Sequence, residues 1–270
     1  MTGTTDAVRT AQDIDWAAWQ RSWDRQQEWY MPDREERLRA MLDAVEAVAG
    51  PSPRVLDLAC GTGTITDRLL RRLPGARSTG VDLDPALLTI ATGYFGGEER
   101  AHFVSADLTA PDWAEALPHR AFDAVVTATA LHWLDTDQLR TLYGQLPGLL
   151  RAGGVFLNAD HMLDERAPRL NAALDGFDET RKERERASGV QDWADWWATV
   201  AEDPALAEAA RRRFALFDDP RDASTRRARR ARRERPTTTE WHLETLRRSG
   251  FAEARQLWCS SRDALVAALR

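Results

Sequence analysis

A glycine-rich turn carries the first candidate chemistry in this sequence. Cys60-Gly61-Thr62-Gly63-Thr64 directly follows the apolar run 55–59 and precedes a predicted helix. Glycine lets a ligand approach the backbone closely, and the unpaired N–H groups at the start of a helix bind carboxylate or phosphate. The turn therefore predicts a binding site for an anionic part of a ligand.

Two acidic side chains follow the next two predicted strands. Asp82 lies 19 positions after Gly63, near the spacing at which a carboxylate binds the ribose hydroxyls of an adenosine-containing cofactor. Asp107 follows the third strand, where it could accept a hydrogen bond from an adenine amino group. A nicotinamide cofactor is the competing interpretation, but its fingerprint has a third glycine where this chain has Thr66. The pattern therefore departs from that of a nicotinamide enzyme.

Two histidines lie where the catalytic side chains of a doubly wound sheet are expected. His132 follows the predicted fourth strand, and His161 follows Asp160 at the end of the fifth. Ligands of such sheets bind at the carboxyl ends of the strands, and a positioned base adds roughly 10²–10⁴-fold to a rate. Both histidines are therefore candidate catalytic residues. The alternative for His132 is a structural role, in which it orients the loop or stacks on Trp133.

Tryptophans are concentrated in two segments of the chain. Positions 16, 19 and 23 are spaced by three and then four residues, which places their rings on one face of an N-terminal helix. This face could form a lid over a cofactor or pack against the core. The segment DWADWW (192–197) has two similar interpretations, an aromatic acceptor pocket or packing. The candidate residues of an acceptor pocket are Trp19, Tyr30, Trp133, Trp193 and Trp197.

The elements that would position these residues alternate between strands and helices. Strands are predicted at 54–59, 78–83, 102–106, 122–128 and 155–160, and helices at 13–30, 34–49, 65–73, 86–94 and 137–150. This alternation requires crossover connections and therefore a parallel sheet. Thr237 and Glu240 fit a capping box for a helix that ends at Gly250, and the runs 254–258 and 264–269 fit a terminal hairpin.

We therefore predict an α/β fold with a doubly wound, mostly parallel, seven-stranded sheet and an inserted helical cap. The predicted regions are 1–50 (N-terminal helices or lid), 51–163 (cofactor-binding core), 164–236 (helical cap) and 237–270 (C-terminal helix and hairpin that complete the sheet). The cap is assigned because the alternation stops there and charged residues and tryptophans dominate. A chain of 270 residues accommodates one large core with such an insertion.

Composition disfavours several classes of protein. The net charge of −6 argues against a dedicated nucleic-acid-binding protein. The arginine-rich run Arg226 to Arg235 is typical of a solvated face, although it could bind a phosphorylated or nucleic-acid partner. Cys60 and Cys259 are the only cysteines, so neither a disulfide framework nor a metal site is expected. No apolar run approaches the roughly 20 residues of a membrane span, and a cytoplasmic protein is expected.

Several motifs of this chain resemble the class I S-adenosylmethionine-dependent methyltransferases. They are RVLDLACGTGT (54–64), the acids Asp82 and Asp107, and the segments FDAVVTATALHWL and LRAGGVFLNAD. The motif ALHWL is similar to the small-molecule branch that includes trans-aconitate methyltransferase. The resemblance covers residues 34–160 and implies a Rossmann-like methyltransferase fold. It also implies S-adenosylmethionine as the cofactor and S-adenosylhomocysteine as the product.

The resemblance further implies a cofactor site and an activity. The implied cofactor-binding residues are Asp57, Ala59, Gly61 and Gly63 at the glycine-rich loop, Asp82 at the ribose with Leu83 beside the adenine, and Asp107 with Leu108 at the adenine. Ala59 departs from the glycine of the family pattern. The implied activity is in-line methyl transfer to a small organic molecule. An RNA methyltransferase that uses 226–235 and a non-catalytic S-adenosylmethionine-binding regulator are the alternatives.

Overall fold

A computed structural model of the chain describes residues 14–162, 166–222 and 237–270. Its strands are β1 (Arg54–Leu58), β2 (Arg77–Asp82), β3 (Ala101–Ser105), β4 (Phe122–Ala128), β5 (Leu150–His161), β6 (Glu253–Cys259) and β7 (Asp263–Leu269). They form one sheet in the order β3-β2-β1-β4-β5-β7-β6. β7 runs antiparallel to both of its neighbours, and the other pairs are parallel. The predicted mostly parallel, seven-stranded sheet is confirmed.

The described residues form nine helices; six lie close to predicted positions, and three lie in the segment 164–236, where no helix bounds are predicted. They are α1 (Trp16–Tyr30), α2 (Arg34–Ala49), α3 (Thr64–Arg72), α4 (Pro85–Tyr94), α5 (Thr136–Leu149), α6 (Pro168–Ala187), α7 (Trp193–Glu202), α8 (Ala207–Phe217) and α9 (Thr239–Arg248). Short 3₁₀ turns occur at Trp113–Ala116 and Leu131–Trp133. Within the described ranges, no helix has both the length and the apolar character needed to cross a membrane.

Two local predictions are wrong in detail. The N-cap of α9 is Thr238, whose hydroxyl accepts a backbone N–H of the first turn, whereas the Thr237 hydroxyl pairs with His242. The fifth strand is predicted to start at 155, but β5 starts at Leu150 and includes 151–154. Gly153 adopts a φ of +71° there, and the register between β4 and β5 is irregular in this region. Glycine supplies this conformation without steric cost, so the chain can kink without leaving the sheet.

Both faces of the sheet are covered by helices, which explains why its central strands are continuously apolar. On one face, the buried Leu56 of β1 belongs to a cluster with Tyr143 of α5 and residues of α9. On the other face, the buried Val55 belongs to a cluster with Met41 of α2 and residues of α3. This arrangement leaves the carboxyl ends of the parallel strands at one edge as the place where loops can form a site.

A third apolar cluster joins the N-terminal helix to the helices of the segment 164–236. Trp196 and Trp197 of α7 are fully buried, and the Trp196 ring centroid lies 5.0 Å from that of Trp23 in α1. Residues of α4 and α8 complete this tryptophan cluster. A Cβ added to Gly93 of α4 would lie 2.2 Å from the Trp16 ring, so α1 requires glycine there for its close approach. α1, α4, α7 and α8 therefore pack as one unit beside the sheet.

A buried carboxyl group braces β1 against its neighbours. Asp57 is buried, and its Oδ2 accepts a hydrogen bond of 2.9 Å from the Thr66 hydroxyl of α3. The Thr66 hydroxyl also lies 2.8 Å from the Ser78 hydroxyl of β2. Burial raises the pKa of Asp57 to about 7 despite its hydrogen bonds to Thr66. The Asp57 carboxyl therefore titrates near neutral pH.

We expect Asp57→Asn to weaken the pH dependence of stability. A carboxyl whose folded-state pKa is raised contributes stability at low pH, and this contribution is lost as the pH rises through the folded pKa. The loss amounts to about 1.4 kcal/mol per pH unit between the unfolded and folded pKa. The variant should therefore gain about 3 kcal/mol in free energy of unfolding, relative to the native chain, between about pH 5 and about pH 8.

Urea denaturation at both pH values measures this effect. Asp137→Asn is the matched control, because the Asp137 side chain is 90% exposed and its substitution should leave the pH dependence nearly unchanged. Equal pH dependence in native chain and Asp57→Asn would show that the Asp57 carboxyl is not protonated in the folded chain near neutral pH.

Candidate active site

The glycine-rich turn between β1 and α3 has a left-handed backbone at three positions. Ala59, Gly61 and Gly63 have φ values of +50°, +57° and +81°. Gly63 is the N-cap of α3, and a Cβ added to it would lie 2.7 Å from the Phe95 ring. Glycine is therefore required at 63 both by conformation and by space. Ala59 adopts the left-handed conformation even though it carries a Cβ.

Asp82 ties this turn to the end of β2. Its Oδ2 accepts a hydrogen bond of 2.7 Å from the Gly61 backbone N–H, and its Oδ1 accepts one of 2.8 Å from the Asp84 backbone N–H. Burial, together with the nearby charge of Asp84, raises the pKa of Asp82 to about 6. Each carboxylate oxygen has a further lone pair, so Asp82 retains the capacity to accept hydrogen bonds from a ligand.

The third predicted acid lies at the same edge of the sheet. Asp107 follows β3, is half-buried, and accepts hydrogen bonds at Oδ1 from both the backbone N–H and the hydroxyl of Thr109. Leu83 and Leu108 are half-buried beside the two acids in the chain. The structure therefore places the acids that follow β2 and β3 at the ends of adjacent strands, as the spacing predicted.

Polar side chains of α1 near the turn were missed by the sequence analysis. Gln20 is 3% exposed, and its Nε2 donates a long hydrogen bond of 3.4 Å to the Thr64 hydroxyl at the start of α3. Its Oε1 is buried and has no hydrogen-bond partner among the described residues, as is also true of Thr62 Oγ1 in the turn. Unpaired buried polar atoms are costly, so this cluster fits a polar ligand that would pair with them.

The sequence contains a pattern that could have indicated the role of Gln20. Positions 16, 20, 23 and 27 share one helical face, and Gln20 and Gln27 interrupt the two tryptophans on it. A Cβ added to Gly61 would lie 3.8 Å from the Trp23 ring. This face of α1 therefore covers the glycine-rich turn while also contributing to the tryptophan cluster.

His132 forms a buried pair with Asp160. The His132 Nδ1 lies 2.6 Å from Asp160 Oδ1, and the His132 backbone N–H donates to Asp160 Oδ2 at 3.0 Å. Burial alone would raise the pKa of Asp160, but His132 and then His161 outweigh it and hold that pKa well below its usual range. An ionised carboxylate only accepts hydrogen bonds. His132 therefore donates through Nδ1–H, which makes Nε2 the basic nitrogen of the neutral ring.

His161 forms a second, similar pair. Its Nδ1 lies 2.5 Å from Asp263 Oδ1 at the start of β7, and its ring centroid lies 5.0 Å from that of His132. Burial would raise the pKa of Asp263, but His161 and the Arg37 cation together lower it. The two candidate histidines are therefore adjacent, and each is oriented by a carboxylate.

Arg37 of α2, which no sequence motif indicates, lies next to these two pairs. The side chain is 1% exposed, its Nη2 donates to the Thr129 hydroxyl at 2.5 Å, and its Nη1 lies 4.0 Å from Asp263 Oδ1. Burial lowers the pKa of Arg37, opposed by Asp263 and Asp160. Arg37 therefore supplies a buried positive charge that balances the two carboxylates at the end of β5 and the start of β7.

The predicted aromatic residues fall into two groups. Trp133 is half-buried, and its ring centroid lies 4.8 Å from that of His132. Trp19, Trp193 and the fully buried Trp197 belong to the tryptophan cluster instead. The Tyr30 hydroxyl accepts a hydrogen bond of 3.2 Å from the Trp193 backbone N–H and so links α1 to α7.

The sheet order determines how these groups lie relative to one another. β1 lies between β2 and β4, and the strand order reverses between β1 and β4. The glycine-rich turn therefore follows the strand next to the one that leads to His132, at the switch point where doubly wound sheets bind ligands. In the part of the chain that the structure describes, no group of three or more His, Cys, Asp or Glu side chains could hold a metal ion. The run Arg226 to Arg235 lies outside the described residues.

Comparison with known proteins identifies the core of the chain. Residues 56–156 match a family model described as a methyltransferase domain. The chain is 34% identical over 145 residues to a trans-aconitate 2-methyltransferase of Streptomyces avermitilis, covering 47% of this chain and 51% of that protein. It is also 34% identical over 104 residues to a malonyl-[acyl-carrier protein] O-methyltransferase of Paenibacillus, covering 38% and 36%. The chain thus spans about a third to a half of the length of these curated relatives.

The fold has counterparts among solved structures. Human N-acetylserotonin methyltransferase, in a structure with S-adenosylmethionine, superposes with a TM-score of 0.53 at 16% identity over 97% of this chain and 60% of that chain. At that identity the likeness concerns the fold alone, and it agrees with the observed strand order. The matched domain, the sheet and the spacing of the glycine-rich turn and its acids lead to one assignment. Residues 56–156 of this chain form a domain of the class I S-adenosylmethionine-dependent methyltransferase family.

Proposed function

We propose that this chain is an enzyme that transfers a methyl group from S-adenosylmethionine to a small organic molecule. The observation that carries the proposal is the position of Asp82. Its carboxylate is hydrogen-bonded to the glycine-rich turn, at the same sheet edge as the buried His132–Asp160 pair. One half of the edge therefore suits an adenosine cofactor, and the other half suits proton transfer.

The cofactor half of the site is formed by residues at the ends of β1, β2 and β3. When bound, S-adenosylmethionine supplies a methyl group on a positively charged sulfur, which a nucleophile takes by in-line displacement while the bonding electron pair stays on sulfur. Asp82 would accept hydrogen bonds from the ribose hydroxyls, and Asp107 one from the adenine amino group. The turn would present backbone N–H groups to the carboxylate of the cofactor. Carboxylates about 4 Å from a positive charge contribute about 4 kcal/mol at an effective dielectric near 20.

Further residues near Asp82, Asp107 and the turn would complete the cofactor site. Leu83 and Leu108 would flank the adenine ring, and Ala59, Gly61 and Gly63 would allow close approach of the methionine part. Asp57 would act through the brace that holds β1 against α3 and β2.

The acceptor half of the site is formed by residues after β4 and β5. His132 would take a proton from the acceptor through Nε2, because Asp160 holds its Nδ1–H. His161 lies beside it with a buried Nε2 that has no hydrogen-bond partner among the described residues, so it would bind a polar group of the acceptor. Alignment of the two substrates and exclusion of water supply the larger part of the acceleration, of order 7–11 kcal/mol.

The names of the relatives support a small organic acceptor. One is a trans-aconitate methyltransferase, and the other acts on a malonyl group held by a carrier protein. The helices of 164–236 pack against α1, which covers the glycine-rich turn. This supports a role for the predicted cap in enclosing the acceptor. The proposed lining residues are Trp19, Tyr30, Trp133, Trp193 and Trp197.

Transfer of a labelled methyl group tests the proposed activity. The chain is incubated with methyl-labelled S-adenosylmethionine and a metabolite extract, and the labelled products are identified by mass analysis. We expect label in a small molecule, with the signal lost in Asp82→Ala because the ribose loses its carboxylate. Label in RNA, removed by neutralising Arg226 to Arg235, would support an RNA methyltransferase instead. Cofactor binding without labelled product would support a non-catalytic regulator.

Gln20 should contribute to binding of the amino-acid part of the cofactor. Its Oε1 is buried beside the turn without a donor among the described residues, so it would accept a hydrogen bond from the cofactor ammonium. Gln20→Leu should weaken S-adenosylhomocysteine binding about tenfold, as expected for one hydrogen bond to a charged group. Binding of methylthioadenosine, which lacks the amino acid, should change less than about twofold. Equal weakening of both ligands in calorimetric titrations would contradict this role.

His132→Asn should separate catalysis from binding. The asparagine amide can still donate to Asp160, but it cannot accept a proton, so kcat should fall about 10²–10⁴-fold for an acceptor that must be deprotonated. Affinity for S-adenosylhomocysteine should remain within about twofold of the native value, because His132 lies outside the cofactor half. The control is His119→Asn at an exposed position, which should leave kcat unchanged. An unchanged kcat in His132→Asn would rule out a base at this position.

A further inference from the structure

A buried arginine of the segment 164–236, called the inserted segment below, contacts the cofactor half of the site. Arg213 of α8 is 3% exposed, and its Nε lies 2.8 Å from Asp84 Oδ2 in an ion pair whose carboxylate is also buried. The Arg213 guanidinium carbon lies 3.8 Å from the ring centroid of Trp197, a stacked cation–π contact. Removing only one partner of such a buried ion pair costs free energy, because the remaining charge would stay buried without a partner.

Asp84 connects Arg213 to the glycine-rich turn through a short chain of hydrogen bonds. Its Oδ1 accepts the backbone N–H groups of Ala86 and Leu87 and so caps α4. Its own backbone N–H donates to Asp82 Oδ1 at 2.8 Å, and Asp82 Oδ2 accepts from Gly61 at 2.7 Å. The path from the inserted segment to the turn therefore consists of one ion pair and two hydrogen bonds.

The charges along this path oppose one another. Asp82 is half-buried beside the buried Asp84, and the charge of Asp84 contributes to the raised pKa of Asp82. Arg213 attracts both of them, which opposes the effect of burial on its own pKa. The charged or titratable groups that act on this cluster are Asp57 and Cys60 near Asp82, Arg213 on α8, and Asp219 beyond α8. Arg213 is therefore the cation that balances the acids at the end of β2.

We propose that Arg213 is a positioning residue for the cofactor site, which makes cofactor affinity depend on the docking of the inserted helices. Arg213 forms an ion pair with Asp84, the Asp84 backbone N–H donates to Asp82, and Asp82 accepts from the turn and would bind the ribose. The proposal rests on the proposed function, because it requires an adenosine cofactor at Asp82. It goes beyond that function by coupling the segment expected to enclose the acceptor to the cofactor half of the site.

The coupling is reciprocal. If docking of α7 and α8 strengthens cofactor binding, then cofactor binding must strengthen the docking of α7 and α8 by the same factor. Hydrogen exchange of the native chain tests this without any substitution. Saturating S-adenosylhomocysteine should slow amide exchange in 193–217 as well as at the turn. Protection confined to the turn and the end of β2 would overturn the proposal.

Substitution of Arg213 supplies the second test, with S-adenosylhomocysteine binding measured by calorimetry. Arg213→Met should raise Kd about 10- to 100-fold, within the usual range of coupling between sites. Arg213→Lys keeps a cation and should restore most of the affinity, to within about fivefold of the native value. Arg211→Met is the matched control on the same helix. The Arg211 side chain is 69% exposed and pairs with Glu208, so Kd should not change.

The pH dependence of binding separates positioning from loss of structure. Asp82 must be ionised to accept both ribose hydroxyls, so native affinity should fall as the pH drops through about 6. Removing the Arg213 cation raises the pKa of both nearby carboxyls, so this fall should begin at higher pH in Arg213→Met but not in Arg211→Met. If the native chain binds no S-adenosylhomocysteine, the proposed function itself fails. If the native chain binds it and Arg213→Met binds equally well with the same pH profile, only the Arg213 proposal fails.

Discussion

The two hydrogen bonds accepted by the Asp82 carboxylate hold together the parts of the chain on which the proposed cofactor site depends. One comes from Gly61 in the turn after β1 and the other from Asp84 at the start of α4. Both donors are backbone N–H groups, so the arrangement depends on the path of the chain, which at Asp84 is the part that Arg213 is proposed to position. The glycine-like conformations at 59, 61 and 63 are what allow the turn to present its N–H group to Asp82. The Asp57 brace beneath β1 fixes the strand from which this turn starts.

In the other half of this sheet edge, carboxylates also position the groups that hydrogen-bond to them, but these groups are histidine rings. Asp160 and Asp263 each orient a histidine, and the buried Arg37 cation balances their charge. Burial would otherwise protonate these carboxyls, and an uncharged partner would no longer determine which nitrogen of each ring is basic. The switch point between β1 and β4 places these two halves next to each other. α1 contacts the turn through Gln20, and its tryptophans pack against helices of the segment 164–236.

Local spacing predicted the sheet, the turn and the acids, because each of these depends on residues close together in the sequence. Strand and helix alternation determined the parallel sheet, and the end of β2 placed Asp82. Arg37 and Arg213 could not be predicted, because their partners lie far away in the sequence and nothing distinguishes Arg213 from Arg211 or Arg212. Thr237 and Thr238 are equally suited to cap α9, and only the nearby His242 decides between them. The roles assigned to catalytic, cofactor-binding and acceptor-binding residues stay predictions, because they depend on contacts with ligands.

The most direct test of this account is a crystal structure of the chain grown with S-adenosylhomocysteine. We expect ligand density across the carboxyl ends of β1 and β2, with the ribose hydroxyls hydrogen-bonded to Asp82 and the amino-acid part above residues 61–63. Density for the ligand elsewhere, with the Asp82 carboxylate still bonded only to Gly61 and Asp84, would contradict it.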